Sequence, residues 1–167
     1  QNELCGVAHD RNLAVHLDGA RVFDAAIATG VPVEKFTENV DSVMFCLSKG
    51  LSCPVGSVIA GDAQFIERAR LIRKRVGGAM RQAGIIAACG LVALETMVDR
   101  LSEDHAHATR LALAINEIPG LSVDTKTVES NMVYIDHTSS GLSTDEVLSR
   151  FAREGVLASD RAPTHVR

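Results

Sequence analysis

The stretch SVMFCLSKGLSCPVGSVIAG, Ser42–Gly61, decides how this chain is read. Two apolar runs, Ser42–Leu47 and Val55–Ala60, have the length and β-branched content of strands, and a Ser-Lys-Gly turn follows the first. Lys49 therefore stands directly beyond a strand end. A lysine in a loop is ordinarily a solvated surface residue, and on the tripeptide alone that reading comes first. An amine that attacks a carbonyl must instead be partly desolvated and held on rigid backbone, because a hydrated ammonium is no nucleophile at neutral pH. A strand end supplies the rigidity, and Gly50 removes a Cβ from the path of a bulky planar group.

Upstream, Leu13–Leu17 (LAVHL) reads as another short buried strand, followed by DGAR and a helical pattern from Val22 to about Thr29. Asp18 thus also stands at the carboxyl end of a strand, where open α/β sheets hold their ligands. An aspartate in that place can keep a pyridine nitrogen protonated, the role that accompanies a Schiff-base lysine in pyridoxal-phosphate sites. Asp18 and Lys49 together would fill both roles.

Downstream, AQFIERARLIRKR (Ala63–Arg75) is a charged helical stretch with basic residues in its last turn, stopped by Val76-Gly77-Gly78. A more apolar helix is expected from Gln82 to about Val98 and an amphipathic one from Ser102 to about Ile118, closed by Pro119-Gly120. Beyond Gly120, short strands at Leu121–Val123 and Asn131–Asp136 precede a helix over Thr144–Glu154, with Ser143 as its cap. Apolar strands alternating with helices predict an α/β fold with its sheet covered on both sides. The ends break the pattern: the chain opens inside what should be a helix and closes on THVR, where another strand should begin. A fragment is expected, lacking mainly an N-terminal part.

With 167 residues, 46% hydrophobic and 23% charged, the chain has the composition of a globular domain with a packed core. A net charge of −4 with scattered Lys and Arg leaves no footprint for nucleic acid or anionic lipid. No apolar run approaches the roughly 18 residues of a membrane span, and the first residues do not form a secretory leader, so a cytoplasmic protein is expected. The four cysteines, Cys5, Cys46, Cys53 and Cys89, form no CxxC pair, which predicts neither a zinc site nor a redox motif. Three of them read as small buried thiols; Cys53, near Lys49, is the one to watch. His105 and His107 are two apart on a helix and point to different faces, unlike a metal pair. His16 shares a strand face with Asp18, and reads either as support for the site or as a core histidine.

Three blocks in order, HLDGARVFDAA, FCLSKGLSCPVGS and RKRVGGAMRQAGIIAA, resemble the L-threonine aldolases, low-specificity and allo-specific forms included, among the fold type I pyridoxal-phosphate enzymes of the aspartate aminotransferase superfamily. The resemblance runs through essentially the whole chain. It implies an α/β fold in which residues 1–100 are the later part of a large, mostly parallel sheet domain and residues 101–167 an incomplete small domain. It implies pyridoxal 5'-phosphate as cofactor, with Lys49 as the Schiff-base lysine and Asp18 as the partner of the pyridine nitrogen. Arg21 would grip the substrate carboxylate with its planar fork. Arg81 would stand near the cofactor phosphate, reached from a neighbouring subunit, with Lys74 a weaker candidate, and Arg167 would be a second carboxylate-binding arginine.

The reaction so implied is retro-aldol cleavage of threonine or allo-threonine to glycine and an aldehyde. The fragment alone is expected to be inactive, because the ring-stacking histidine and the glycine-rich phosphate loop of such enzymes fall outside it. A homotetramer is implied, and the apolar Ile85–Leu94 stretch suits either an interface or the chain's own core. Two alternatives stay open: another lyase or transferase of amino acids, serine hydroxymethyltransferase-like or β-eliminating, and a non-catalytic relative.

Overall fold

A computed structural model describes all residues, Gln1–Arg167. The chain divides into two compact units, Gln1–Leu101 and Ser102–Arg167.

In the first unit, helix α1 (Asn2–His9) leads to strand β1 (His16–Asp18), helices α2 (Val22–Thr29) and α3 (Val33–Thr37), strand β2 (Ser42–Cys46) and strand β3 (Ser57–Gly61), then helices α4 (Ala63–Arg75) and α5 (Gly84–Thr96). β1 lies parallel to β2 with Asp18 opposite Met44, and β3 lies antiparallel to β2 with Phe45 opposite Val58. The reversal has a plain cause: a parallel return needs a crossover of a dozen or more residues, usually helical, whereas residues 47–56 form a short loop without a helix.

The strand expected over Leu13–Leu17 is displaced to His16–Asp18. Asp41 and Ser42 direct their backbone N–H groups to the Val15 carbonyl as β2 begins, so Leu13 and Ala14 have no strand beside them to pair with. The expectation of a sheet covered on both faces is also corrected. β3 is largely exposed, with Ile59 45% accessible, because this chain supplies cover to only part of it.

The core of this unit gathers Leu47, Leu51, Cys53, Ala93 and Leu101, with Phe23 packed edge-on against Phe45 at 5.3 Å between ring centroids. α5 is apolar all round. Its Gly90 and Ala93 are buried, and a Cβ on Gly90 would lie 3.1 Å from Leu47 Cδ1, so the absence of a side chain lets the helix sit on that leucine. On its other side Ile85, Leu91 and Val92 are 80%, 64% and 58% exposed, which leaves an apolar face that this chain does not cover.

Helix α6 (Leu101–Ile115) starts at the last residue of the first unit, and the second unit holds its remainder with strand β4 (Ile135–Asp136), helix α7 (Thr144–Arg153) and strands β5 (Asp160–Ala162) and β6 (His165–Val166). The strands form an antiparallel sheet in the order β4-β6-β5, while the strand expected at Leu121–Val123 is reduced to a single bridge between Ser122 and Asp136. Ala112 and Val166 are fully buried in a core with Ile115, Val133, Ile135 and Val147. α7 starts with a complete capping box: Ser143 Oγ accepts from the Glu146 N–H, and the Glu146 carboxylate accepts from the Ser143 N–H at 2.9 Å. That bonding, with the Ser143 hydroxyl also donating, holds the Glu146 carboxyl below its ordinary pKa. No helix is long and apolar enough to cross a membrane.

Candidate active site

The parallel pairing of β1 and β2 brings their carboxyl ends side by side, and the turns beyond them carry the three central candidates. At the end of β1, the Gly19 N–H donates to the Met44 carbonyl at 2.9 Å. A Cβ on Gly19 would stand 2.9 Å from that oxygen and 3.1 Å from Val43 Cγ2, so only glycine lets the chain stay in contact with β2 while it turns. Asp18 is exposed at that turn and its Oδ1 accepts from the Ala20 N–H at 3.1 Å. This bond fixes the carboxylate at the strand end. Arg21, half-buried, occupies the N-cap position of α2 three residues on.

Beyond β2, the Leu47 N–H bonds the Gly56 carbonyl at 3.0 Å, the Cys53 N–H bonds the Leu47 carbonyl at 3.0 Å, and the Ser52 N–H bonds the Lys49 carbonyl at 2.8 Å. Leu47 and Leu51 are buried on either side of Lys49, and the turn passes through Ser52 at φ 60°, a left-handed conformation uncommon for serine. The backbone under Lys49 is therefore fixed by hydrogen bonds and by two core leucines. Its side chain is exposed, so the desolvation that nucleophilic chemistry requires is not provided by this chain's own packing.

Gly50 also has a packing neighbour: a Cβ there would come within 2.5 Å of Leu101 Cδ2, so a larger residue would have to displace the end of that leucine. The same position exposes a residue that sequence reasoning missed. Asp24, on the first turn of α2, is 4% exposed, and its carboxylate oxygens lie 3.7 Å from that Cβ position, beneath the Lys49 turn. In sequence it is an ordinary acidic residue of a helix N-terminus; only its place in the apolar block VFDAA signals burial.

The remaining candidates lie elsewhere. Lys74 is exposed on the last turn of α4, and Arg81 is exposed in the loop between α4 and α5, next to Gln82 at φ 57°. Arg167 belongs to the second unit, where it exchanges backbone hydrogen bonds with Ser159 and points Nη1 at Met132 Sδ, 3.8 Å away. His16 is exposed, with Nδ1 2.8 Å from Ser42 Oγ, and is not a core histidine. His105 and His107 lie on α6, and no group of three or more His, Cys, Asp or Glu side chains could hold a metal ion.

As a test of fit for pyridoxal phosphate, the turns offer an accessible carboxylate and an accessible amine, each on fixed backbone at neighbouring strand ends. Those are the donor types that a pyridine nitrogen and an aldehyde require, so these residues fit the group.

Residues 2–138 match the family model described as "Beta-eliminating lyase". The chain is 43% identical over 152 residues to low-specificity L-threonine aldolase 1 of Arabidopsis thaliana, covering 90% of this chain and 42% of that protein. It is 44% identical over 126 residues to the low specificity L-threonine aldolase of Escherichia coli K12, covering 75% of this chain and 37% of that protein. The chain thus spans under half the length of these curated relatives. Among solved structures, a candidate L-allo-threonine aldolase from Listeria monocytogenes superposes with a TM-score of 0.79 at 22% identity, covering 99% of this chain and 47% of that one. A PLP-dependent aminotransferase from Streptococcus suis does so with a TM-score of 0.70 at 15% identity, covering 99% of this chain and 46% of that one. The fold is therefore the α/β fold of the pyridoxal-phosphate-dependent aldolases and aminotransferases.

Proposed function

The chain belongs to the beta-eliminating lyase family, and from that premise we propose that it forms part of a pyridoxal-phosphate-dependent aldolase that cleaves L-threonine and L-allo-threonine to glycine and acetaldehyde. The observation that carries the reading is the juxtaposition of Asp18 and Lys49 beyond the paired ends of β1 and β2. Residues 1–100 serve as the later part of the cofactor-binding domain and residues 101–167 as part of the small domain.

Pyridoxal phosphate, when bound, supplies a sink for the electrons of the Cα–Cβ bond that breaks. The residues here bind and orient. Lys49 Nζ would be the amine that holds the cofactor through its aldehyde group. The Asp18 carboxylate, fixed by the Ala20 N–H, keeps the proton on the pyridine nitrogen and so stabilises the negative charge that develops on cleavage. The Arg21 guanidinium would take the substrate carboxylate as a two-donor fork and so orient the substrate for cleavage. Lys74 and Arg81 bind the cofactor phosphate, and Arg167 adds a second contact to the substrate carboxylate. The enzyme works in the cytoplasm as a homotetramer; the uncovered apolar face of α5 supports association.

β-Elimination is the second reading, favoured by the description of the matching family. Both are tested on the full-length protein. Borohydride reduction with pyridoxal phosphate, followed by peptide mapping, should label Lys49; label elsewhere overturns the site. Threonine should then yield glycine and acetaldehyde, whereas a keto acid and ammonia as products would establish elimination.

A further inference from the structure

Two cysteines from separate elements share one cleft. Cys53 stands four residues beyond Lys49 in the β2–β3 loop, and Cys89 lies near the middle of α5. Both line an open, mainly apolar cleft of about 440 Å³ with Leu51, Pro54, Val92 and Met97 for walls. Both also pack in the same core, where α5 rests on Leu47 through Gly90, and Leu47 in turn accepts the Cys53 N–H. The other two cysteines do not line the cleft: Cys5 is buried on α1 and Cys46 is half-buried on β2.

We propose that Cys53 and Cys89 form a dithiol modification site that a peroxide closes to a disulfide, tying the Lys49 turn to α5. The two thiols have different roles. Cys89 is the more accessible, and Cys53 is 7% exposed. Burial pushes the Cys53 thiol up in pKa, and the charge on Cys89 when ionised pushes in the same direction. The thiolate is the nucleophile, so the more exposed Cys89 reacts first. Its thiolate attacks the O–O bond of hydrogen peroxide, giving a sulfenic acid and, after one proton is taken up, water. Cys53 sulfur then attacks the Cys89 sulfur. The S–O bond breaks, the oxygen leaves as a second water with the Cys53 proton, and an S–S bond remains. In sum two thiols and one peroxide give one disulfide and two waters.

The cross-link would join a backbone held by three hydrogen bonds to a helix packed on the same core, so its physical effect is to suppress opening of residues 47–56. Its bearing on catalysis rests on the reading of Lys49 given above; its formation does not. The four cysteines fall in four different tryptic peptides, Cys53 in Gly50–Arg68 and Cys89 in Gln82–Arg100, so the bond can be located by mass.

The test is equimolar hydrogen peroxide added to the reduced full-length protein, followed by alkylation, digestion and mass spectrometry. The expected result is a joined Gly50–Arg68 and Gln82–Arg100 pair about 2 Da lighter than the sum of its reduced peptides, and reversible by dithiothreitol. Amide exchange at Ser52 and Cys53 should slow by about tenfold in the cross-linked form. With Cys53→Ser, Cys89 should accumulate as a sulfenic acid that dimedone traps; with Cys89→Ser, Cys53 should remain a thiol. Two thiols still alkylated after peroxide, Cys53 joined to Cys46, or unchanged exchange would overturn the proposal. Borohydride labelling of the reduced protein keeps the two readings apart, since it reports Lys49 whether or not the disulfide forms.

Discussion

Leu101 Cδ2 lies 2.5 Å from the point where a Cβ on Gly50 would stand. The turn that carries Lys49 therefore rests directly on a leucine that is 1% exposed, and a side chain on the glycine beside the lysine would have to push the end of that buried leucine aside. Gly50→Ala should destabilise the first unit by about 1–3 kcal/mol, the range for overpacking a filled core. Leu101→Ala removes the obstructing methyl group, so the double variant should lose less stability than the two single losses combined. Denaturant melts of the four proteins form the cycle; strict additivity would mean that the two positions do not touch.

Asp18→Asn preserves shape and removes charge. If Asp18 keeps the pyridine nitrogen protonated, turnover of threonine should fall by on the order of a hundredfold or more, as for loss of one preorganised electrostatic partner. Borohydride label on Lys49 should persist, because the amine that carries it is untouched. Loss of turnover together with loss of label would instead mean that Asp18 positions the turn.

Much of this was legible in the sequence, and the gaps have physical causes. The helices Val22–Thr29 and Ala63–Arg75 form where their periodicity placed them, because each has a strong local boundary signal: Gly30 at φ 67° closes the first, and Asp62, whose side chain accepts from the Phe65 N–H, opens the second. The Ser143 cap was readable for the same reason. Strand β1 was shifted because its limits depend on where β2 begins, a nonlocal fact. β5, three residues long, is too short to carry a pattern, whereas β6, two residues long, lies in THVR, where a strand was expected to begin. The collision behind Gly50 depends on Leu101, more than fifty residues away in the chain, which no local signal announces, and the burial of Asp24 is hinted at only by its apolar neighbours in VFDAA.

Ser143→Ala removes the hydroxyl that caps α7 and should cost about 1 kcal/mol. The loss should appear in the second unit, whose core α7 closes through Val147. Amide exchange would locate it: the first turn of α7 should be deprotected while β1 and β2 are unaffected. Equal deprotection of both units would show that they unfold together.

Acid should act on the second unit through two carboxylates. Asp136 is held below its ordinary pKa first by the Thr138 hydroxyl and backbone N–H and then by the nearby charges of His165 and His137; Glu146 is held down by its bonds to Ser143. A carboxyl depressed in the folded state binds fewer protons than in the unfolded chain. Its stabilising contribution is thus present above the unfolded pKa, about 4 for such groups, and is lost as pH falls through the folded value. Stability of the second unit should be level near neutral pH and decline below about pH 4. Asp136→Asn and Glu146→Gln should each lower stability at pH 7 and flatten that decline, because the neutral side chain has no proton to gain. Urea melts between pH 7 and pH 3 give the slopes, and a variant that kept the wild-type slope would show that the acid response comes from another group.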